Sequence, residues 1–306
     1  MSTILITGGT GLVGTALGQA LLEKGYQLIV LTRDPLRQVP VPGIRYAAWD
    51  IRKQTIDPAA IADADHIIHL AGASVAEKRW TNKRKEEILQ SRVQSGQLLV
   101  KSLREIPNKV KSVISASAIG WYGPDPVIPN AQPFTESSKV ATDFLGSTCQ
   151  QWEESTSAIN SQVHKRLVRL RIGIVLSSKG GALKEFIKPL QWGVGAVLGN
   201  GKQFVSWIHI QDLVRIFISA IEQENMEGVY NAVAPAPVSN RDLVIWLARF
   251  RKKPFILFTV PSFLLKWIMG EMSVEVLKSC TVSAEKLMAA GFLFRYPSLE
   301  SIDKLD

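Results

Sequence analysis

The stretch ILITGGTGLVG (4–14) decides the fold. Ile4–Thr7 is a short apolar run that reads as a strand, and Leu12–Lys24 reads as a helix that Gly25 ends. Between them Gly8, Gly11 and Gly14 are spaced G-x-x-G-x-x-G. A strand that runs straight into a helix needs one glycine for the tight turn. It needs a second for close backbone approach to a pyrophosphate and a third for helix-on-strand packing. The unpaired amides at the helix start then face the anion. A bare strand-to-helix turn is the plainer alternative. The position at the very N-terminus, between a clear strand and a clear helix, favours a dinucleotide phosphate loop formed by Gly8, Thr10, Gly11, Leu12, Val13 and Gly14.

Outward from that loop, short apolar runs alternate with amphipathic stretches. Leu28–Thr32, Arg45–Ala48, His66–Ala71, Val113–Ala116 and Leu167–Leu170 read as further strands, with helices over about 82–105 and 142–157. This order predicts an α/β fold, a Rossmann-type doubly wound parallel sheet. Beyond about 180 the alternation becomes irregular, with a Gly-rich run, GVGAVLGNG (193–201), and Trp-rich patches. The expected division is a dinucleotide-binding domain over 1–180, to which later segments return, and a smaller C-terminal substrate-covering lobe over 181–306.

Composition narrows the function classes. The chain has 306 residues, 46% hydrophobic and 21% charged, which suits a soluble globular protein. Two cysteines, Cys149 and Cys280, support neither a disulfide framework nor a zinc ribbon, so we expect a reducing, cytoplasmic setting and no metal. The net charge of +9 is scattered rather than massed in one tail, which favours a small anionic ligand over nucleic acid. The most membrane-like stretch, PFILFTVPSFLLKWIMG (254–270), is interrupted by Pro261 and Lys266 well short of ~18 clean apolar residues. It predicts a buried strand followed by a core helix, and no stable membrane insertion.

The end of the second strand chooses the dinucleotide. An NAD site usually places a carboxylate there to hold the ribose hydroxyls. This chain has Thr32–Arg33, which removes that repulsion and offers a guanidinium to a 2′-phosphate, so NADP(H) is expected. Asp34 is the counter-evidence. On the helix over 82–105, Ile88, Leu89, Val93, Gly96, Leu99, Val100 and Leu103 share one face, and Arg92 falls in its middle. A charge there needs a partner, either a cofactor phosphate or ribose or an internal carboxylate.

Several stretches together resemble the short-chain dehydrogenase/reductase superfamily: TGGTGLVG (7–14), HLAG (69–72), SASAIGWYG (115–123) and WIHIQD (207–212). More narrowly, KRWTNKRKEEILQSR (78–92), LRIGIVLSSKGGAL (170–183), GNGKQFVSWIHIQD (199–212), YNAVAPAPVSN (230–240) and AGFLFRYPSLE (290–300) resemble its atypical branch of nucleoside-diphosphate-sugar-epimerase-like proteins. Members of that branch close with a short domain of unknown function, which would begin here at about 250. The resemblance implies NADP(H) held by the glycine loop, by Thr32 and Arg33, and by Leu70, Ala71 and Gly72 beside the nicotinamide ribose. It further implies contacts from Glu87, Arg92 and the backbone near Val175.

The superfamily's chemistry rests on Y-x-x-x-K, in which the lysine lowers the tyrosine's pKa. None of the five tyrosines here is followed by lysine four residues on. Aligned on Trp152–Glu153, the motif positions are Leu145 and Cys149. Substitute candidates are Ser117, at the end of the fifth-strand run, and Tyr122 in the loop after it. The alternative is that Ser117 caps or turns that loop and Tyr122 packs its wall. His209 reads as a structural group more than a catalyst, and Asp212 as the cap of a helix over 213–221. Trp80, Trp121 and Trp207 line a pocket or fill the core. Two functions follow: an NADP(H)-dependent oxidoreductase or epimerase-like enzyme of unknown small-molecule substrate, or an NADPH-binding regulator with weak or no catalysis. Neither the substrate nor the oligomeric state is legible.

Overall fold

Strands that are apolar on both faces must be covered by helices on both sides, and the chain meets that demand by alternating the two. The computed structural model describes residues 2–252 and 254–305. The first unit runs β1 (Thr3–Thr7), α1 (Leu12–Glu23), β2 (Gln27–Thr32), β3 (Ile44–Asp50), β4 (Thr55–Ile56), α2 (Pro58–Asp63), β5 (His66–His69), α3 (Asn82–Glu105), β6 (Ser112–Ala118), α4 (Phe144–Ser155), α5 (Ala158–Ser161) and β7 (Arg166–Ile172). There follow β8 (Ile174–Leu176), α6 (Ala182–Leu190), β9 (Val194–Leu198), β10 (Phe204–Val205), β11 (Trp207–His209), α7 (Ile210–Glu222), β12 (Gly228–Ala232), β13 (Val238–Ser239) and α8 (Asn240–Phe250). The chain closes with β14 (Ile256–Val260), α9 (Ser262–Met269), α10 (Ser273–Leu277) and α11 (Glu285–Ala289).

The main sheet has the order β12-β7-β6-β5-β1-β2-β3-β4. All its pairings are parallel except β3 with β4. Strand order reverses beside β1, which creates the crevice at the carboxyl ends where such sheets take ligands. On one face Leu17 and Leu21 of α1 and Leu213 and Phe217 of α7 pack on Ile4, Ile6 and Ile114. On the other, Leu98, Leu99 and Leu103 of α3 cover Leu5, Ile29 and Val113. A separate cluster of Leu183, Ile187, Trp207, Leu243, Leu247 and Tyr296 gives the later segments their own core.

Three local expectations change. The β5 ladder ends at His69, not Ala71: the Leu70 N–H is shared between the Thr7 carbonyl and the Thr7 hydroxyl, both at 3.1 Å, and the Ala71 N–H goes to that hydroxyl at 3.2 Å. Helix α7 starts at Ile210, so His209 rather than Asp212 is its cap, accepting the Gln211 N–H at 3.2 Å. The buried Asp212 carboxylate instead accepts the backbone N–H groups of Arg295 and Tyr296, tying the C-terminal segment down. The stretch 254–270 does form a strand and a helix, but its predicted burial is wrong. Among the described residues β14 pairs only with β9, outside the main sheet, and α9 buries only Leu265. Among the described residues no second layer covers Ile256, Phe258, Phe263, Trp267 and Ile268, which stay exposed. Among the described residues no helix is long and apolar enough to cross a membrane.

Candidate functional site

The glycine loop is built by exclusion of side chains. A Cβ on Gly14 would stand 2.4 Å from the Gly8 carbonyl oxygen, so α1 can begin this close to the strand only with glycine. Gly8 has a φ of +70°, which glycine alone adopts without strain, and a Cβ there would press on Leu70 and Ala71 at 2.9 to 3.0 Å. Close packing thus brings the loop against the Leu70–Ala71 backbone. The loop is closed by the Gly11 N–H donating to the Gly8 carbonyl at 3.1 Å. The N-cap of α1, Gly11, has no side chain to cap the helix start, where free amides could meet an anion. Leu12 lies under Gly180 and Gly181, and the Val175 carbonyl stands beside Gly181, so the segment after β8 joins the same crevice. Thr10 is exposed at its mouth, while Val13 packs against the core.

Arg92 completes this cluster. Its guanidinium lies against Gly72, where a Cβ would come within 3.0 Å of Cζ. Nη1 donates to the Ala73 and Ile88 carbonyls at 3.0 and 2.9 Å, and the group stacks 5.0 Å from the Trp152 ring. Burial, chiefly, holds its pKa down at about 10, so it stays charged at neutral pH. Among the described residues no carboxylate pairs with it. Behind it the buried His69 is paired with the Thr7 hydroxyl at 2.8 Å, and burial pushes its pKa down to about 4, leaving it neutral. Glu87 is not drawn into the cluster: it is exposed and ion-paired to Arg84 at 2.6 Å.

At the end of β2, Thr32 accepts the Asp34 N–H at 3.4 Å, and Arg33 is exposed. The Asp34 carboxylate is turned to Arg37 at 2.9 Å. The acidic group that weighed against a 2′-phosphate is therefore already matched by a cation.

The other half of the crevice is closed. Parallel register places Ser117 of β6, Arg171 of β7 and Asn231 of β12 side by side near the carboxyl ends of three neighbouring strands. Arg171 is buried and grips Glu153 of α4 with both arms, Nε to Oε1 at 2.8 Å and Nη2 to Oε2 at 3.0 Å. The Ser117 hydroxyl donates to the same carboxylate at 2.7 Å. Tyr122 is fully buried; its hydroxyl donates to Asn231 Oδ1 at 2.6 Å and accepts from Arg171 Nη1 at 3.1 Å. Burial pushes its pKa up to about 12 despite the nearby guanidinium. The Trp121 ring lies 3.6 Å under Arg171. Both substitute proton donors are thus occupied inside a buried network. Leu145 and Cys149 lie on α4, and the Cys149 thiol is buried, pushed up to about 12, and directed at the Ala118 carbonyl.

Other candidates are structural. His209 packs 4.0 Å from the Tyr296 ring and meets the Lys304 carbonyl at 3.0 Å. Trp207 is wholly buried, and Trp80 is buried edge-on against Phe144 at 4.9 Å. Sequence reading missed the Arg171–Glu153 pair. The available signal was an arginine inside the apolar run RLVRLRI (166–172) and a glutamate following Trp152, each improbable in a core without the other.

Comparison with known proteins agrees with this architecture. Residues 4–232 match the NAD dependent epimerase/dehydratase family, and 260–302 match a domain of unknown function, DUF1731. The epimerase family protein SH2119 of Staphylococcus haemolyticus is 37% identical over 98% of this chain and 97% of its own length. The epimerase family protein SSP1921 of Staphylococcus saprophyticus is 36% identical over 98% of this chain and 97% of its own length. The structure of human epimerase family protein SDR39U1 with NADPH superposes with a TM-score of 0.85 at 27% identity, covering 98% and 97% of the two chains. A nucleoside-diphosphate sugar epimerase from Corynebacterium glutamicum gives a TM-score of 0.76 at 32% identity, over 98% of this chain and 57% of that one. With its Rossmann-type sheet and glycine cradle, this chain belongs to the NAD-dependent epimerase/dehydratase family.

Proposed function

We propose that the protein binds NADP(H) firmly but turns over ordinary carbonyl substrates slowly. The observation that carries the cofactor choice is the end of β2. There Thr32 and Arg33 replace the usual carboxylate, and Asp34 is neutralised by Arg37. The residues present fit the group: the glycine cradle admits a pyrophosphate, and Arg92 is a cation with no carboxylate of its own. Gly8, Gly11, Leu12 and Gly14 would hold the phosphates, Arg33 the 2′-phosphate, and Leu70, Ala71, Gly72 and Arg92 the nicotinamide side. The human relative's structure with NADPH supports the same choice. When bound, the nicotinamide supplies hydride exchange with a carbonyl or carbinol.

A second reading, an NADPH-responsive regulator, is favoured by one specific observation. The hydroxyls of Ser117 and Tyr122 are consumed by Glu153 and Asn231, and burial keeps the Tyr122 phenol at about 12 although Arg171 bonds its hydroxyl and the Lys278 ammonium lies 3.3 Å from its carbonyl. General acid–base help is worth about 10² to 10⁴ in rate, and a site without it is slow. The test is an NADPH-oxidation screen across simple ketones and sugar nucleotides, with cofactor binding measured on the same sample. Saturable NADPH binding with weak or absent turnover is expected. Rapid turnover of an ordinary ketone would overturn the reading.

A further inference from the structure

The stretch between Asp242 and Glu271 contains no acidic residue, while Arg249, Arg251, Lys252, Lys253 and Lys266 supply five positive charges. The same stretch carries the largest exposed apolar side chains of the C-terminal part. Ile256 is 78% exposed, Phe263 74% and Trp267 76%, with Phe258 and Ile268 also largely exposed. Trp192, at 87% the most exposed tryptophan, belongs to the same surface, because the Ile256 N–H donates to the Gly193 carbonyl at 2.9 Å and so seats the two segments together. Ile256 and Phe258 alternate onto one side of β14. Phe263 and Trp267 are one turn apart on α9, with Lys266 beside them. The first carboxylates beyond the stretch, Glu271 and Glu275, are ion-paired to Lys85 and Lys278, each at 2.8 Å. A soluble monomer rarely leaves such a surface uncovered. Exposed aromatic side chains in a stretch that carries lysines and arginines but no acidic residue match the interface of an acidic bilayer in both polarity and charge.

We propose that this face docks the protein peripherally on an anionic lipid surface, with Trp192, Ile256, Phe258, Phe263 and Trp267 entering the headgroup layer and the exposed Arg249, Lys252 and Lys266 lying over it. The family's sheet and crevice are unaffected, since α9 and β14 stand outside the main sheet.

The test uses the full chain and vesicles of phosphatidylcholine alone or with about 30% phosphatidylglycerol, read by co-sedimentation. At least tenfold tighter association with the anionic vesicles is expected, with a further tenfold loss on Phe263→Ser combined with Trp267→Ser at an unchanged melting temperature. If that double variant melts earlier, Trp192→Ser with Lys252→Ser, at the opposite end of the face, is read the same way. No association with anionic vesicles would overturn the proposal. So would equal association with both vesicle types, or association indifferent to the substitutions. A concentration-dependent dimer that these changes dissolve, without vesicle association, would also overturn it and assign the face to a second copy of the chain.

Discussion

Two arginines inside the same crevice are treated in opposite ways. Arg171 has everything a buried cation needs: a two-armed carboxylate, a phenol, a backbone carbonyl and an indole face. Arg92 has two carbonyls and an indole face, and no anion. A guanidinium that is sealed by its own protein holds a fold together, because the desolvation of both charges is offset by their pairing. One left short of an anion is positioned for a ligand that brings its own. On the proposed reading the difference divides the crevice into a half that would receive the dinucleotide and a half already filled, where a proton donor would otherwise work.

The comparison breaks most visibly at Arg171. Arg171→Met strands the buried Glu153 carboxylate, and the protein should lose about 3 to 5 kcal/mol of unfolding free energy in denaturant titration. A loss below about 1 kcal/mol would mean that the pair is better solvated than its burial indicates. Arg92→Leu should do the reverse. No internal carboxylate is stranded and the face gains an apolar residue, so the protein without cofactor should melt within about 1 kcal/mol of the parent or above it. NADPH affinity should fall about tenfold, near 1.4 kcal/mol. A large loss in the cofactor-free protein combined with unchanged affinity would make Arg92 a structural residue like Arg171.

The glycine turn was readable because its determinants are local. The turn, the close approach and the helix start are all set within Gly8–Gly14, and the β2 end follows in the next unit. Helix α3 was legible to its ends for the same reason, with Thr81 capping one end by accepting the Arg84 N–H. The sealed half was not readable. Ser117, Arg171 and Asn231 meet only through the register of three strands far apart in sequence. Tyr122 therefore read equally as a loop hydroxyl and as packing for the loop wall, and the structure buries it fully. The misreading of 254–270 has a related cause. Apolar pattern states that a strand or helix has a face to cover, but not that the fold supplies the cover.

A preference for NADP(H) would come from Thr32, Arg33 and the Asp34–Arg37 pair, and it is read by equilibrium titration of the intact protein with NADPH and with NADH under the same salt conditions. NADPH should bind at least tenfold more tightly, about 1.4 kcal/mol. Arg33→Ala should remove most of that margin while leaving NADH affinity nearly unchanged, since Arg33 is exposed and would meet only the additional phosphate. Equal affinity for the two dinucleotides in the unmodified protein would contradict the account.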